Sequence, residues 1–151
     1  MLKLSRKTIL ALEAVVDIAY NARPEPVQAK EITARLGIPQ RYLEQVMQHL
    51  VHEGVLKGVR GPRGGYRLAR ERRRITVGEI VRLGSQLEST ADETDGQAES
   101  PLGEKIVRPI IEGAITKMLT DLNTVTIEDL CNQADSSGVS GQADVRADFT
   151  I

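Results

Sequence analysis

Hydrophobic positions in the first third of the chain recur at the spacing of three successive amphipathic helices. Apolar side chains repeat every three or four residues over 6–22, over 28–36 and again over 39–51. Ser5 stands at the N-cap position of the first pattern, and Gly37 ends the second. A tight turn therefore joins the second and third helices, which is typical of a helix-turn-helix.

The third predicted helix carries an apolar stripe on one face and polar side chains near its N-terminus on the other. In a helix-turn-helix this is the recognition helix, whose first residues reach base edges in the major groove. Arginine reads guanine, glutamine reads adenine, and glutamate accepts a hydrogen bond from cytosine. Contacts from some of these residues to phosphates are the alternative. The candidates on this face are Gln40, Arg41, Glu44, Gln45 and Gln48.

Three residues at the helix starts are further candidate DNA contacts. Gln28 begins the second helix, and Pro39 suits the first position of the third. Tyr42 has two interpretations, because its hydroxyl could face a phosphate or its ring could lie wholly in the core.

After residue 54 the pattern changes to two short apolar runs. These runs, 55–59 and 66–68, flank a cluster of glycines and a proline and predict a β-hairpin. Residues 57–70, called the wing below, contain five lysines and arginines and no acidic residue. A cationic hairpin with a glycine-rich tip suits contact with a nucleic-acid groove. The wing candidates for DNA contact are Arg60, Pro62, Arg63, Gly64 and Gly65.

The wing residues suggest different roles. Arg60 suits insertion into a narrow minor groove, where the negative potential is enhanced, with a surface ion pair as the alternative. Arg63 would add a phosphate contact at the tip. Gly64 and Gly65 are expected to adopt the positive φ that the turn requires.

The chain beyond the wing is less regular. A capping box, Thr76 to Glu79, predicts a short helix that ends near Leu83. Residues 84–101 are dominated by Gly, Ser, Gln, Asp, Glu and Thr, which predicts a flexible loop that could hold a sensor. Residues 1–83 are therefore expected to form a winged helix-turn-helix domain.

A second apolar pattern covers residues 102–122. Its stripe is too broad for a helix lying on a small domain, so a dimerisation helix is expected. Pro109 predicts a kink or a later start of the helix. A short capped helix is expected at 126–132, and a disordered tail at 133–151.

Charge is divided unevenly between the two halves of the chain. Residues 1–87 carry 16 Lys/Arg against 8 Asp/Glu, whereas residues 88–151 carry 4 against 13. A basic half suits a polyanion such as double-stranded DNA, and an acidic half would be repelled by one. The alternative is a chance sorting of solvated charges.

Composition and motifs narrow the classes of function. The chain shows no signal peptide and no apolar stretch near the ~18 residues of a membrane span, and its single cysteine fits a reducing cytoplasm. No nucleophile–base pair suggests an enzyme. His49 and His52 lie three residues apart, but two histidines alone leave a metal site incomplete.

Four stretches together resemble the Rrf-type winged-helix regulators over about residues 1–130. The resemblance implies a homodimeric bacterial transcription factor that dimerises through 102–122 and binds a two-fold-related operator. Its fold would be mainly α with a small β-hairpin, plus the long C-terminal dimerisation helix. The matching stretches are Lys7–Leu12, Ile38–Gln45, Val59–Leu68 and Ile75–Ile80.

The same family includes members that hold a [2Fe–2S] cluster through three cysteines in the loop before the dimer helix. That loop, residues 88–104 here, has no cysteine and no histidine. Carboxylates are poor substitutes for thiolates in such clusters, so no cofactor is expected. Cys131 remains a candidate redox thiol or single cluster ligand, with burial as a small hydrophobe the more ordinary interpretation.

The sequence thus favours a dimeric, sequence-specific DNA-binding regulator, and more specifically a repressor. Two alternatives stay open. The chain could be an iron–sulfur or redox sensor with atypical ligands, or a winged-helix module that binds another protein.

Overall fold

Six α-helices flank one antiparallel hairpin within residues 3–92 and 98–139, which are the residues that the computed structural model describes (the side chains of 89–92 excepted). Along the chain the hairpin lies between the third and fourth helices. The elements are α1 (Arg6–Tyr20), α2 (Ala29–Leu36), α3 (Gln40–His52), β1 (Leu56–Val59), β2 (Gly65–Leu68), a 3-10 turn (Arg72–Arg74), α4 (Val77–Asp92), a π-helical turn (Gly103–Val107), α5 (Arg108–Leu122) and α6 (Ile127–Ser136).

Helix α1 is the centre of the core. Ser5 caps it as predicted, its Oγ accepting a hydrogen bond from the Thr8 N–H at 3.1 Å. Leu10, Ala14 and other apolar side chains of α1 are fully buried. The helix contacts α2, α3, α4 and α6, so it holds both the helix-turn-helix and the C-terminal elements in place.

The helix-turn-helix forms as predicted, except that each of its two helices begins one residue later, with Gln28 and Pro39 as N-caps. Gly37 adopts φ 65° between α2 and α3, a conformation that favours glycine. Pro39 is the N-cap of α3, with an extended backbone, and the first helical residue is Gln40. Arg35 of α2 forms a bidentate ion pair with Asp17 of α1, at 2.8 and 2.9 Å, which fixes the motif on the core.

The predicted hairpin is present and gains a third short partner. Leu56 pairs with Leu68 and Val59 with Gly65 in the antiparallel register. Val27, just before α2, then pairs with Tyr66 through two backbone hydrogen bonds of 2.8 and 3.0 Å. The hairpin is therefore anchored to the start of the helix-turn-helix.

The predicted loop at 84–101 is wrong at its beginning, because α4 continues to Asp92. Leu87 extends the apolar stripe of Ile80 and Leu83 and packs against the core, which outweighs the polar composition of its neighbours. Residues 93–97 lie outside the described residues, and 98–100 are non-helical.

The capping box predicted at the start of α4 is only half formed. Thr76 Oγ1 accepts a hydrogen bond from the Glu79 N–H at 3.1 Å. The Glu79 carboxylate instead accepts a hydrogen bond from Arg70, at 2.5 Å, because that guanidinium comes within reach from the wing.

The predicted long helix begins at Pro101 and is irregular in its first turns. Its Ser100 Oγ accepts a hydrogen bond from the Gly103 N–H at 3.2 Å. A π-helical turn, Gly103–Val107, then precedes α5, and Pro109 lies in the first turn of α5. Proline has no N–H to donate, so the irregularity falls where Pro109 was predicted to disturb the helix.

Helix α6 begins where predicted and ends later. Thr126 and Asp129 form a reciprocal capping box with hydrogen bonds of 2.9 and 3.1 Å. The helix reaches Ser136, so the expectation of disorder from 133 is wrong for its first turn, where Ala134 is partly buried. Residues 137–139 follow the helix as an exposed turn, and the remainder of the predicted tail, 140–151, lies outside the described residues. No helix in the described ranges combines the length and apolarity needed to cross a bilayer.

Candidate nucleic-acid interface

The exposed face of α3 carries the polar residues predicted to meet bases. Leu43, Val46 and Met47 are fully buried, which forces the opposite face of the amphipathic helix outward. The polar set is exposed throughout: Gln40, Arg41, Glu44, Gln45 and Gln48.

Two members of this set are bonded to each other. Gln40 Nε2 donates to Glu44 Oε1 at 3.1 Å, one helical turn away. Arg41 forms no ion pair with any described residue. The face therefore presents the unpaired guanidinium of Arg41 beside the hydrogen-bonded side chains of Gln40 and Glu44.

The residues at the helix starts differ in exposure. Pro39 is exposed, while Tyr42 is half-buried and packs against the core. Gln28 is half-buried as the N-cap of α2, and its N–H donates to the Glu31 carboxylate at 2.8 Å. The ring of Tyr42 thus contacts the core, as one interpretation requires, and the residue is exposed enough for its hydroxyl to face a phosphate, as the other requires.

Gly64 and Gly65 are required by the space around them, and the positive φ predicted for both is wrong. Gly61 is the wing residue in the positive-φ region, at 111°. A Cβ on Gly64 would lie 2.3 Å from the Val59 carbonyl oxygen, and one on Gly65 would lie 2.3 Å from the Val27 carbonyl oxygen. Backbone packing therefore excludes a side chain at both positions.

The cations of the wing divide into structural and free groups. Arg67 donates to the Pro24 carbonyl oxygen, and Arg70 binds Glu79. Arg60, Arg63 and Lys57 are exposed and make no ion pair with a described residue. The tip and outer edge of the wing are thus left with uncompensated positive charge.

The structure brings the start of α2 and the wing tip together. Gln28 and Arg63 line one open polar cleft, whose wall also contains Arg23 and Glu31. Arg23 Nη2 donates to both Glu31 carboxylate oxygens at 2.8 Å. The local sequence signals only Glu31, because a glutamate three residues after an N-cap indicates a capping interaction, and it does not indicate Arg23.

Glu31 is held in its charged form. Burial raises the pKa of the Glu31 carboxyl, but hydrogen bonds from Arg23 and the Gln28 N–H and the nearby charges outweigh it, so the pKa lies below 4.5. The cleft wall consequently keeps its arrangement throughout the neutral pH range.

Helix α3 and the wing also interact electrostatically. Burial raises the pKa of the Tyr66 hydroxyl, and the Glu44 carboxylate raises it further. Tyr66 therefore remains protonated at neutral pH and lies near enough to α3 to sense the charge of Glu44. The interface combines α3, the start of α2 and the wing in one surface.

The arginines that follow the wing are partly engaged in the structure. Arg73 binds Glu71 at 2.5 Å, and Arg72 lies 3.8 Å from Glu128. Arg72 also interacts with Cys131, which therefore has a basic neighbour. This contact leaves no local signal in the sequence, because 59 positions separate the two residues.

Cys131 is a buried thiol, 2% exposed. Burial raises the pKa of the Cys131 thiol, and the opposing effect of Arg72 is smaller. A thiol with a raised pKa is a weak nucleophile at neutral pH. The environment therefore suits the role of a small hydrophobe in the core.

The two histidines of α3 do not form a metal site with other described residues. His49 Nε2 lies 3.1 Å from the Leu83 carbonyl oxygen, to which the ring donates, and His52 is exposed. Among the described residues no group of three His, Cys, Asp or Glu side chains is placed to hold a metal ion.

Comparisons with known proteins agree with this geometry. A protein-family model described as "Rrf2: Iron-dependent Transcriptional regulator" matches residues 4–133. The HTH-type transcriptional regulator IscR of Klebsiella pneumoniae strain 342 is 33% identical over 144 residues, covering 93% of this chain and 86% of that protein. The IscR of Escherichia coli strain K12 is also 33% identical over 144 residues, and the match covers 93% of this chain and 87% of that protein.

Two solved structures have the same fold along most of this chain. "T. potens IscR" aligns with a TM-score of 0.70 and 29% identity, covering 95% of this chain and 96% of that one. The structure titled "CymR (YrzC) the Global Cysteine Regulator of B. subtilis" aligns with a TM-score of 0.64 and 28% identity, covering 88% and 98%. The winged-helix architecture and the C-terminal helices are thus common to all three chains.

Proposed function

Because this chain belongs to the Rrf2 family of transcriptional regulators, we propose that it binds a specific DNA operator as a homodimer and acts as a repressor. One observation carries the proposal: the polar face of α3 and the free cations of the wing are all exposed, and they lie on elements that contact each other. The function is binding, since the family it belongs to regulates transcription and is not enzymatic.

In the proposed complex α3 lies in the major groove. Arg41 and Gln45 reach base edges from its exposed face, since arginine and glutamine form bidentate contacts with guanine and adenine. Arg60 enters the neighbouring minor groove from the wing. Gln28 and Arg63, which line the cleft beside α2, contact the phosphates between the two grooves.

A second copy of the chain is the proposed partner of α5. No side chain of α5 is buried, and an amphipathic helix of this kind is stable only when its apolar face is covered. Pairing two copies of one face about a two-fold axis covers both. The exposed apolar side chains along this arm are Leu102, Ile106, Val107, Ile110, Ile111, Ile115 and Met118.

Repression follows from occupancy. A dimer bound to a promoter blocks RNA polymerase sterically, so repression needs no contact between the dimer and the polymerase.

Because DNA is the proposed partner, the proposed site of action is the bacterial cytoplasm. We propose that the chain acts without a [2Fe–2S] cluster, since its one cysteine cannot supply three thiolate ligands.

Selection of bound duplexes from a random DNA pool tests sequence-specific binding. The full chain should enrich a two-fold-related sequence, and its affinity should fall steeply with salt. Gln45→Ala and Arg60→Ala should each weaken binding to that sequence by about 1–3 kcal/mol. Arg82→Ala is the control for Arg60→Ala: it also removes one arginine charge, from an exposed position on α4, and should leave specific binding close to wild type.

A failure to enrich any sequence would contradict sequence-specific binding, and a failure to retain any DNA at low salt would favour the protein-interaction alternative. Dimerisation is tested separately by sedimentation. Ile110→Asp places a charge on the proposed interface, where the side chain is 68% exposed in one chain, and should yield monomers. A dimer that persists in this variant would contradict pairing through α5.

A further inference from the structure

The chain segments that follow the wing and α5 run side by side. Thr76 and Thr126 form an antiparallel bridge, in which the Val77 N–H donates to the Val125 carbonyl oxygen at 2.8 Å. The Ile127 N–H donates to the Ile75 carbonyl oxygen at 2.9 Å. Ile75 and Ile127 are fully buried, so this pairing, called the junction below (75–78 with 123–127), is anchored in the core.

Side chains add a second connection at the junction. The Thr76 hydroxyl accepts the Glu79 N–H at 3.1 Å and donates to Asn123 Oδ1 at 2.9 Å. The same hydroxyl therefore caps α4 and binds the residue that ends α5. The Asn123 N–H is itself bonded to the Leu119 carbonyl oxygen at 2.9 Å.

Gly78 allows the two helices to come this close. A Cβ on Gly78 would lie 2.2 Å from Asn123 Oδ1 and 2.8 Å from the Leu119 carbonyl oxygen. Both distances are shorter than a real Cβ contact, and the second involves backbone that cannot rotate away. Any side chain at 78 must therefore change how α5 leaves the winged domain.

We propose that Gly78 and Asn123 are positioning residues that set the angle of α5 against the winged domain, and through it the separation of the two recognition helices in the dimer. The inference rests on the proposed dimeric DNA binding. Helix α5 buries no side chain within its own chain, so the junction and the contact with α4 are what orient it.

A small tilt of α5 at the junction moves the far end of the helix by a large distance. A helix of 15 residues is about 22 Å long, so a tilt of about 5° at the junction moves its far end by about 2 Å. The half-sites of a helix-turn-helix dimer lie about 34 Å apart, and their bases must meet both recognition helices together. A small change at Gly78 would therefore alter the preferred half-site spacing.

The test uses Gly78→Ala in the full chain. The probes are the duplex that the wild type selects from the random pool, the same duplex with one or two base pairs added or removed between half-sites, and a duplex with a single half-site. Affinity for the single half-site should stay near wild type, while affinity at the original spacing falls about tenfold, or 1.4 kcal/mol. The optimum should move to another spacing or broaden.

Further variants separate positioning from loss of folding. Asn123→Ala removes the atoms nearest to the added Cβ, so the double variant should recover part of the original spacing preference. If Gly78→Ala does not fold, Asn123→Ala alone carries the test, because it removes only one exposed side-chain contact and should broaden the spacing preference. Ser85→Ala, exposed on α4 with a hydroxyl bonded inside its own helix, is the control.

A wild-type spacing profile in folded, dimeric Gly78→Ala and Asn123→Ala would overturn the inference and leave the proposed function intact. Equal losses on full and single half-sites would also overturn it, since they indicate a merely structural role. A wild type that selects no DNA would instead overturn the proposed function, and the inference with it.

Discussion

Gly65 of β2 lies so close to Val27 that a Cβ on the glycine would be 2.3 Å from the valine carbonyl oxygen. Two backbone hydrogen bonds between Val27 and Tyr66 close the same contact. The start of the helix-turn-helix and the wing are therefore one unit, and this explains why Gln28 and Arg63 share a cleft.

Gly65→Ala should separate the wing from α2. Overpacking of this kind costs about 1–3 kcal/mol, because the methyl group meets backbone that cannot move aside. Urea unfolding should show that loss, and affinity for the selected duplex should fall with it. Gly58→Ala is the matched control in the same hairpin, since its added methyl group meets no atom within 4 Å. Equal stability of the two variants would contradict the packing argument.

Asp17→Asn should destabilise the helix-turn-helix. The substitution breaks the bidentate pair with Arg35 and leaves a guanidinium that is 22% exposed beside a carboxamide. We expect a loss of about 2 kcal/mol in unfolding free energy, less than for a fully buried pair. Glu13→Gln breaks the exposed pair with Arg6, whose distance is 3.5 Å, and should cost less than about 0.5 kcal/mol. Similar costs for the two variants would show that burial does not decide the strength of the pair.

Stability should depend on the charge of Glu31 at acid pH. Its pKa in the folded chain lies below 4.5, mainly because hydrogen bonds from Arg23 and Gln28 outweigh the effect of burial. A lowered folded pKa means that the stabilisation is fully present above the unfolded pKa and is lost as pH falls through the folded pKa. The difference in unfolding free energy between wild type and Glu31→Gln should thus be constant above about pH 5.5 and shrink below about pH 4.5. A difference that does not change with pH would contradict this.

The thiol of Cys131 should react slowly with a thiol reagent at pH 7.5. Burial raises its pKa, which lowers the thiolate fraction, and access is limited as well. Unfolding in urea should make the reaction fast. Arg72→Ala removes a group that lowers this pKa, so the folded variant should react more slowly still at equal exposure. Fast modification of the folded wild type would restore the redox-sensor alternative.

The local pattern was enough to predict the elements that carry the proposed interface. Ser5, Gly37 and the stripe of α3 obey short-range rules of capping and periodicity, and their structures follow. The sequence predicts too early an end for α4, because the polar composition of residues 84–101 favours a loop. The apolar residue Leu87 continues the helix by packing against the core, and a contact of this kind depends on the tertiary fold.

Contacts between distant segments could not be predicted in this way. The local sequence predicts a positive φ at Gly64 and Gly65, whereas backbone atoms from other segments are what exclude a side chain at both positions. Arg72 and Cys131 meet only because α6 folds back on the 3-10 turn. Pairings of this kind depend on the whole fold and leave no periodic signal in the sequence.

Helix α5, which buries none of its side chains in one chain, makes the amount of protein itself a regulatory variable. If two copies pair through this helix as proposed, the DNA-binding form increases with the square of the monomer concentration when the protein is scarce. Promoter occupancy would then rise more steeply with cellular abundance than a monomer could achieve. Synthesis and degradation would thereby control this regulator even in the absence of a bound signal.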